Sequence, residues 1–587
     1  MNYLNPIFTE KRECQDCYKC VRNCPVKAIK VEGGYASVMP ELCIVCGQCV
    51  EVCPNGAKRV RDDLPPARRV LLEKPAVYVS LAPSYVTEFA EVRPGQIIRA
   101  LKQLGFAGVS ETALGAQEVS AQAAALMAKE PGRVLASSAC PTVVAWFQKH
   151  RPQDSRLLTG LLSPLLTHCQ ILRQTFGAGI GVVFVGPCIA KKLEAGRNPE
   201  LLDVALTFED LRRWLEQEKI SLPALEERAE DRFVPGPAAE GVWYPVDGGM
   251  IAGMKARCAV NDGACMAFSG LPALERALDG LTESPGGDGL FLELLACEGG
   301  CVNGPKACRR NGTAAKRRRV LQQSRSRAAA LPRAADPKLN IRCGYEAASA
   351  APPRYAEAQI REALRQVGKL SREDELNCGG CGYESCREFA AALMNQKAER
   401  SMCVTYMRKL ALKKADALIQ KMPSAVVIVN DALRIIESNG AFARLFGKGT
   451  ADPAGTPASF DGVLLSEVTP FAGLFHSVLK SGEDLLDKDL RYQQTILHVT
   501  IFSIEKHAIV GGILQDITEP AVRKAEVIRK AREVIQRSLE TTQKIACLLG
   551  ENAAESEITL NSIIQSFSPE KPDESRTDHD WRKLYRR

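Results

Sequence analysis

Two stretches of this 587-residue chain repeat one cysteine spacing: CQDCYKCVRNCP, Cys14 to Pro25, and CIVCGQCVEVCP, Cys43 to Pro54. In CxxCxxCxxxCP three close thiolates can hold one iron–sulfur cubane, while the fourth cysteine, ahead of proline, reaches across to a second. The spacing assigns Cys14, Cys17, Cys20 and Cys53 to one [4Fe–4S] cluster and Cys43, Cys46, Cys49 and Cys24 to the other. Zinc or unligated thiols are the alternatives, and the duplicated spacing speaks against both. Composition points the same way, since 22 cysteines stand against only 6 histidines, a thiolate-rich balance that favours iron–sulfur clusters over mixed Cys/His zinc sites.

Three further apolar runs each end in a cysteine loop: RVLASSACP at Cys140, GIGVVFVGPCIAKKLE at Cys188, and GLFLELLACEGGCVNG at Cys297 and Cys301. Ligands gather at the carboxyl ends of strands in open α/β architectures, so these loops can bring four thiolates to one buried site, enough for another cubane. Gly299 and Gly300 are expected to let the backbone pass close to a bulky cofactor. Taken alone, Cys140 as a small buried hydrophobe is the lesser alternative. A last cluster, LNCGGCGYESCREF with SMC downstream, offers Cys378, Cys381, Cys386 and Cys403, for which zinc is the alternative to iron–sulfur. The thiols Cys169, Cys258, Cys265, Cys308, Cys343 and Cys547 match no such spacing and read as packing or surface residues.

The elements that must position these groups form several domains, because the chain is several times the usual domain length. The fold class expected is multidomain α+β: a ferredoxin-like cluster domain at 1–60, an α/β domain at 74–304, a small helical iron–sulfur domain at 341–409, and a mixed sheet domain at 412–518. Strand AVYVSLAPS and helix IIRALKQLGF, with Ile97, Ile98, Leu101 and Leu104 on one face, open the α/β pattern. Residues 305–340, rich in Arg and Lys and poor in large apolar residues, read as a basic linker or exposed arm. After Pro520 a helix over 519–567, with Ile528, Ala531, Ile535, Ser538, Thr542, Ile545 and Leu549 near a heptad seam, can dimerise or pack on its own domain. The polar tail 568–587 reads as disordered. A net charge of +8, from 77 Lys+Arg and 69 Asp+Glu, argues for neither nucleic acid nor a membrane as partner. The amino terminus has no apolar leader core and no twin arginine, so the expected location is the reducing cytoplasm.

The segment of Cys14 to Pro54 resembles a bacterial-type ferredoxin. The three strand-end loops resemble, in order, the TSCCP, MPCxxKxxE and ExMACxGGCxxG signatures of the [FeFe]-hydrogenase catalytic domain. The resemblance covers roughly the first half of the chain. It implies that Cys140, Cys188, Cys297 and Cys301 hold a [4Fe–4S] cube and that Cys301 bridges to a diiron unit carrying CO, cyanide and an azadithiolate. It further implies that Lys191 donates to a cyanide ligand, that Glu194 belongs to a proton path, and that Pro83 and Ser84 line the diiron pocket. Three positions depart from the pattern: Ala139 replaces a thiol that passes protons, and Gly186 and Leu295 replace methionines. With that relay cut, hydrogen turnover is expected to be slow, since positioned proton transfer contributes ~10²–10⁴ in rate.

The cluster of Cys378 to Cys403 resembles small iron–sulfur domains of corrinoid proteins and electron-transfer subunits. Residues 412–518, with MPSAVVIVNDALRIIESNGAFARLFG and GGILQDIT, resemble a PAS domain whose exit leads into a signalling helix. Neither an ATP-binding box, a phosphoacceptor histidine nor a phosphatase metal site can be found after it, so its output is expected to be a contact with a phosphatase or kinase. Together these resemblances imply a hydrogen- or redox-sensing protein that relays redox state through cubanes to the PAS module, forms homodimers, exchanges electrons with redox partners, and is loaded by hydrogenase maturation proteins. A catalytic ferredoxin-linked hydrogenase and an interaction protein without the diiron unit are the alternatives.

Overall fold

Each cysteine motif near the amino terminus curls into a loop that runs into one short helix, Lys19–Arg22 in the first and Gln48–Val52 in the second. Left-handed backbone recurs at corresponding places: Asp16 and Val45, Tyr18 and Gly47, Lys27 and Gly56 all have positive φ. A β-branched residue such as Val45 at φ +57° is rare and disfavoured unless its surroundings hold it there. The repeated curl is therefore a property of the motif rather than of any one residue. Two antiparallel strand pairs, Ile7–Thr9 with Lys58–Val60 and Ile29–Glu32 with Tyr35–Val38, brace the loops.

The computed structural model describes residues 5–255, 262–281, 289–325, 335–348, 353–447, 460–518 and a few positions between 533 and 541. The chain divides into two compact units, Met1–Glu399 and Arg400–Arg587. In the first, the α/β pattern resolves into two parallel sheets rather than one. Four strands lie in the order Gly108–Glu111, Val77–Leu81, Gly181–Gly186, Val204–Thr207, and three in the order Cys265–Ser269, Leu290–Leu295, Val134–Ala136. Gly181–Gly186 is buried throughout, as expected of a parallel strand covered on both faces. Helix Pro94–Gln103 starts on proline, whose missing N–H costs nothing in the first turn, and buries Ile97, Ile98 and Leu101 against the larger sheet.

Two stretches differ from the expected boundaries. Thr313–Arg325, inside the expected linker, is a helix. Val320 is fully buried with Val246 and Val302, and the buried Lys316 donates to Val302 O at 3.0 Å and Asn303 Oδ1 at 3.1 Å. A run read as solvated thus gains a face from tertiary packing, which overrides local composition. Leu339 and Ile341 join a core of the α/β domain, and Cys343 N–H donates to Gly160 O at 2.9 Å. The segment 335–343, bridged to Leu161 through Arg342, therefore belongs to that domain and not to the small cysteine domain that follows.

The second unit holds a five-stranded antiparallel sheet in the order Ile435–Ser438, Ala425–Asn430, Ile509–Asp516, Thr495–Glu505, Leu485–Tyr492. Phe442 and Phe475, from helices Gly440–Phe446 and Ala472–Ser481, are buried against it. Most of the expected exit helix and all of the tail lie outside the described residues, although those described between 533 and 541 are helical. Among the described residues no helix is long and apolar enough to cross a membrane.

Candidate iron–sulfur and hydrogenase site

The carboxyl ends of strands Val134–Ala136, Gly181–Gly186 and Leu290–Leu295, one from the larger sheet and two from the smaller, open onto one pocket. Cys140, Cys188, Cys297 and Cys301 all line it, together with Pro83, Ser84, Ala139, Lys191 and Leu295. Burial pushes the Cys297 thiol well above its usual range, and Cys301, Cys188, Cys140 and Cys46, in that order of effect, push it further. Burial likewise lifts Cys188 to about 11 and raises Cys301, each also feeling Cys140. Four half-buried thiols lining one pocket and acting on one another suit a cationic iron core, which would take their protons' place.

Lys191 stands on the same wall, its Nζ 2.6 Å from Glu194 Oε2 and 3.1 Å from Ser163 Oγ. Burial works to lower its pKa, but the Glu194 carboxylate and the Cys188 thiol outweigh it, so the ammonium is held in its charged form. Ser84 Oγ is buried with no hydrogen-bond partner. An orphaned hydroxyl on a pocket wall costs about 1–3 kcal/mol, and a bound group that accepts its hydrogen bond would recover it. The all-sulfur donor set, the adjacent ammonium and this hydroxyl together fit the expected cofactor.

The glycines are also required by the protein around them. Gly299 and Gly300 have φ of +73° and +97°, and a Cβ would meet Thr313 Cγ2 at 2.7 Å or Pro245 O at 2.5 Å. Neighbouring chain already excludes a side chain at both positions. At Gly186 a Cβ would stand 2.3 Å from the Phe184 ring, and Phe184 itself lines the pocket. The wall left without a side chain at 186 is thus made by a ring two residues earlier. Phe184, Thr112, Tyr244 and Pro245 are pocket residues that sequence reasoning missed; the place of Phe184 in a strand that leads into the Cys188 loop was the available signal.

The amino-terminal thiols separate into the two expected groups. After burial, which lifts it to about 11, and Lys58, which opposes this, Cys20 feels Cys14, Cys17 and Cys53. Cys46, lifted by burial to about 12, feels Cys24 and Cys43, and Cys49 feels Cys46, Cys43 and Cys24. Val45 and Cys46 also line the pocket of Cys297, so the second group is the one facing that site. Cys381 is half-buried, Cys386 buried and Cys378 exposed, while Cys403, buried in the second unit, caps helix Val404–Lys421. Among the described residues no three Cys, His, Asp or Glu side chains come close enough to share a single metal ion; the sulfurs that hold a cubane stand farther apart than those around one zinc ion.

Residues 75–305 match the family described as the iron only hydrogenase large subunit, C-terminal domain. Over those residues the chain is similar to the iron-only hydrogenases. Residues 6–54 match a 4Fe-4S dicluster domain and 374–405 a putative Fe-S cluster. The NADP-reducing hydrogenase subunit HndD of Solidesulfovibrio fructosivorans is 24% identical over 363 residues, which cover 50% of this chain and 62% of that protein. An uncharacterized ferredoxin of Methanocaldococcus jannaschii is 41% identical over 49 residues, 8% of this chain and 79% of its own. Among solved structures, a variant of the [FeFe]-hydrogenase HydA1 from Chlamydomonas reinhardtii is 17% identical, with a TM-score of 0.39 over 49% of this chain and 100% of that one. The hydrogenase-like segment is thus preceded by a match to a dicluster ferredoxin and followed by a match to a further Fe-S family. Within it, the position next to Cys140 is a methyl group, Ala139, whose N–H donates to Ser137 Oγ at 3.2 Å; no exchangeable side-chain proton stands there.

Proposed function

We propose that this chain is a hydrogen- or redox-sensing, hydrogenase-like iron–sulfur protein that turns hydrogen over slowly at most and passes its redox state to a PAS-type output module. The observation that carries this reading is Ala139, on the same pocket wall as the four cysteines. When bound, the cofactor would supply a metal site at which dihydrogen is split or formed and a cubane that takes up the electrons. Cys140, Cys188, Cys297 and Cys301 would hold it, with Cys301 shared between cube and diiron unit. Lys191, kept charged and aimed by Glu194, would donate a hydrogen bond into the pocket. Ala139 can neither give nor take a proton, so any proton must reach the pocket through other groups or water, and the chemical step slows.

The five-stranded sheet with helices Gly440–Phe446 and Ala472–Ser481 packed on it supports the PAS reading of 412–518. Its partners would be a downstream phosphatase or kinase, a second copy of the chain, and maturation proteins that install the diiron unit. Retention of the Lys191–Glu194 pair favours one second reading, a catalytic ferredoxin-linked hydrogenase. The test is to mature the full chain with hydrogenase assembly proteins and record infrared spectra and hydrogen turnover. CO and cyanide bands with slow turnover support sensing. The same bands with fast turnover support catalysis, and their absence leaves an interaction protein.

A further inference from the structure

The loop carrying Cys378, Cys381 and Cys386 is docked on the ferredoxin-type segment. Arg22, between Cys20 and Cys24, donates from Nη1 to Gly380 O at 3.4 Å and from Nη2 to Cys17 O at 3.0 Å. Gly382 lies at φ +92°, and a Cβ there would stand 2.8 Å from Val21 Cγ1 and 3.1 Å from Arg22 N. The backbones meet too closely for any side chain at 382. On the other side, Val31 N–H donates to Lys397 O at 2.9 Å and Gly33 N–H to Glu399 Oε1 at 2.6 Å. The contact therefore reaches both helix Lys19–Arg22 and the hairpin at Ile29–Val38.

At this junction sits Tyr383, 5% exposed, its ring tilted against Phe389 with centroids 5.9 Å apart. Its hydroxyl is buried and has no hydrogen-bond partner in the protein. The thiols whose charges reach it are Cys381 and then Cys24, one from each side of the junction. A buried phenol is almost always paired; after these two sulfurs the Glu388 carboxylate also acts on it, more weakly, and that carboxylate already accepts from Glu384 N–H at 3.1 Å.

We propose that Tyr383 donates its hydroxyl to a sulfur of the cluster held by its own loop, and that the docked loop makes this cluster the direct electron partner of the ferredoxin-type pair. In that step one electron leaves a reduced ferredoxin-type cluster and reduces the cluster of the Cys378 loop, with no bond broken and no proton moved. The hydrogenase pocket faces the Cys46 group, so the loop is a separate exit from the same wire. A hydrogen bond to sulfur stabilises the reduced, more negative cluster, and losing it lowers the potential. The inference rests on the iron–sulfur reading of 374–405 and not on hydrogen chemistry.

The test uses the full chain with its cubanes reconstituted and no diiron unit, so its failure is distinct from failure of the sensing proposal. Paramagnetic resonance would follow stepwise reduction by dithionite in the wild type, Tyr383→Phe and Gly382→Val. Tyr383→Phe should move one cluster potential to more negative values, leave the ferredoxin-type pair in place, and remove one exchangeable proton coupled to the shifted cluster. Gly382→Val should weaken the spin–spin broadening between that cluster and the pair. Should Gly382→Val lose iron, Arg22→Gln gives the same reading with a smaller loss of broadening. Unchanged potentials and proton couplings in Tyr383→Phe, as a buried water at the hydroxyl would give, overturn the proposal, as does a shift confined to the ferredoxin-type pair.

Discussion

Pro305 of the hydrogenase domain fills the space over Gly47 of the second ferredoxin-type loop: a Cβ on Gly47 would stand 2.5 Å from Pro305 Cβ and 2.9 Å from Ile189 Cδ1. The loop next to Cys46 is thus seated on the wall of the cysteine pocket. Gly56 has a similar left-handed backbone, φ +64° against +83°, but nothing within 4 Å of its Cβ position. Gly56→Ala should therefore cost only the backbone penalty, about 1–2 kcal/mol. Gly47→Ala adds overpacking of about 1–3 kcal/mol and should displace the loop, with the loss of about four irons per chain. Iron analysis and melting of the two variants side by side would reveal the difference; equal iron in both would mean that Pro305 yields.

Lys192 is fully buried, with Nζ 2.8 Å from Asp210 Oδ2, 3.2 Å from Asp63 Oδ2 and 3.1 Å from Arg61 O. Burial works to raise the Asp210 pKa, but Lys192 and the Thr207 cap outweigh it and hold the carboxylate low. These contacts tie the segment between ferredoxin-type and hydrogenase domains to the latter. Lys192→Met would remove the fully buried cation from two carboxylates, leaving Asp63 with Arg61 and Asp210 with Arg213 at 3.3 Å, a loss of at most about 3–5 kcal/mol. The expected outcome is a lower thermal midpoint and new proteolytic cleavage near Arg61, with the iron of the ferredoxin-type segment retained. Unchanged cleavage would show that Arg61, 2.7 Å from Asp63 Oδ1, suffices to hold the segment.

Local patterns exposed the cysteine sites and most strands, because spacing and apolar runs are written in consecutive residues. Which sheet a strand joins depends on partners far along the chain, so Val134–Ala136 and Gly181–Gly186, alike in sequence, fall in different sheets. The helix Thr313–Arg325 is hidden in the sequence because, among its described residues, only Val320 and Lys316 are buried within a basic run. At Gly186 the ring of Phe184 takes the space of a side chain, which no local pattern states. Tyr383 carried no motif at all, and its meaning comes from an unpaired hydroxyl that only packing reveals.

His168 is fully buried, its Nδ1 2.8 Å from Ser80 Oγ and its Nε2 2.8 Å from Ser110 Oγ, and Ser80 Oγ lies 2.8 Å from Thr112 Oγ1 on the pocket wall. Burial pushes the imidazole from 6.5 down to about 3. The folded state keeps it neutral while the unfolded chain protonates, so its stabilisation is whole above pH 6.5 and is lost as pH falls toward 3. The loss amounts to about 2 kcal/mol by pH 5. His168→Gln can still bond to both serines and has no charge to gain, so its thermal midpoint should fall less between pH 7.5 and 5 than that of the wild type. Parallel pH profiles would show that the histidine protonates in place.

Ala139 lies beside Cys140 on the pocket wall, with Ser138 Oγ directed instead to Thr159 Oγ1 at 2.8 Å and Leu161 O at 2.7 Å. Neither neighbour supplies a proton at the point where the side chain of 139 faces the pocket. Ala139→Cys adds one exchangeable proton with an ordinary pKa near 8.5, close enough to neutrality to cycle during turnover. After maturation, its hydrogen turnover should rise by about 10²–10⁴ over the wild type, with the infrared bands of the cofactor unchanged in number. Ala139→Ser fits the same space but holds its proton far more tightly, and should recover little. A serine variant as fast as the cysteine one would assign the gain to polarity or water entry rather than to proton transfer, and equal rates in all three would place the slow step away from residue 139.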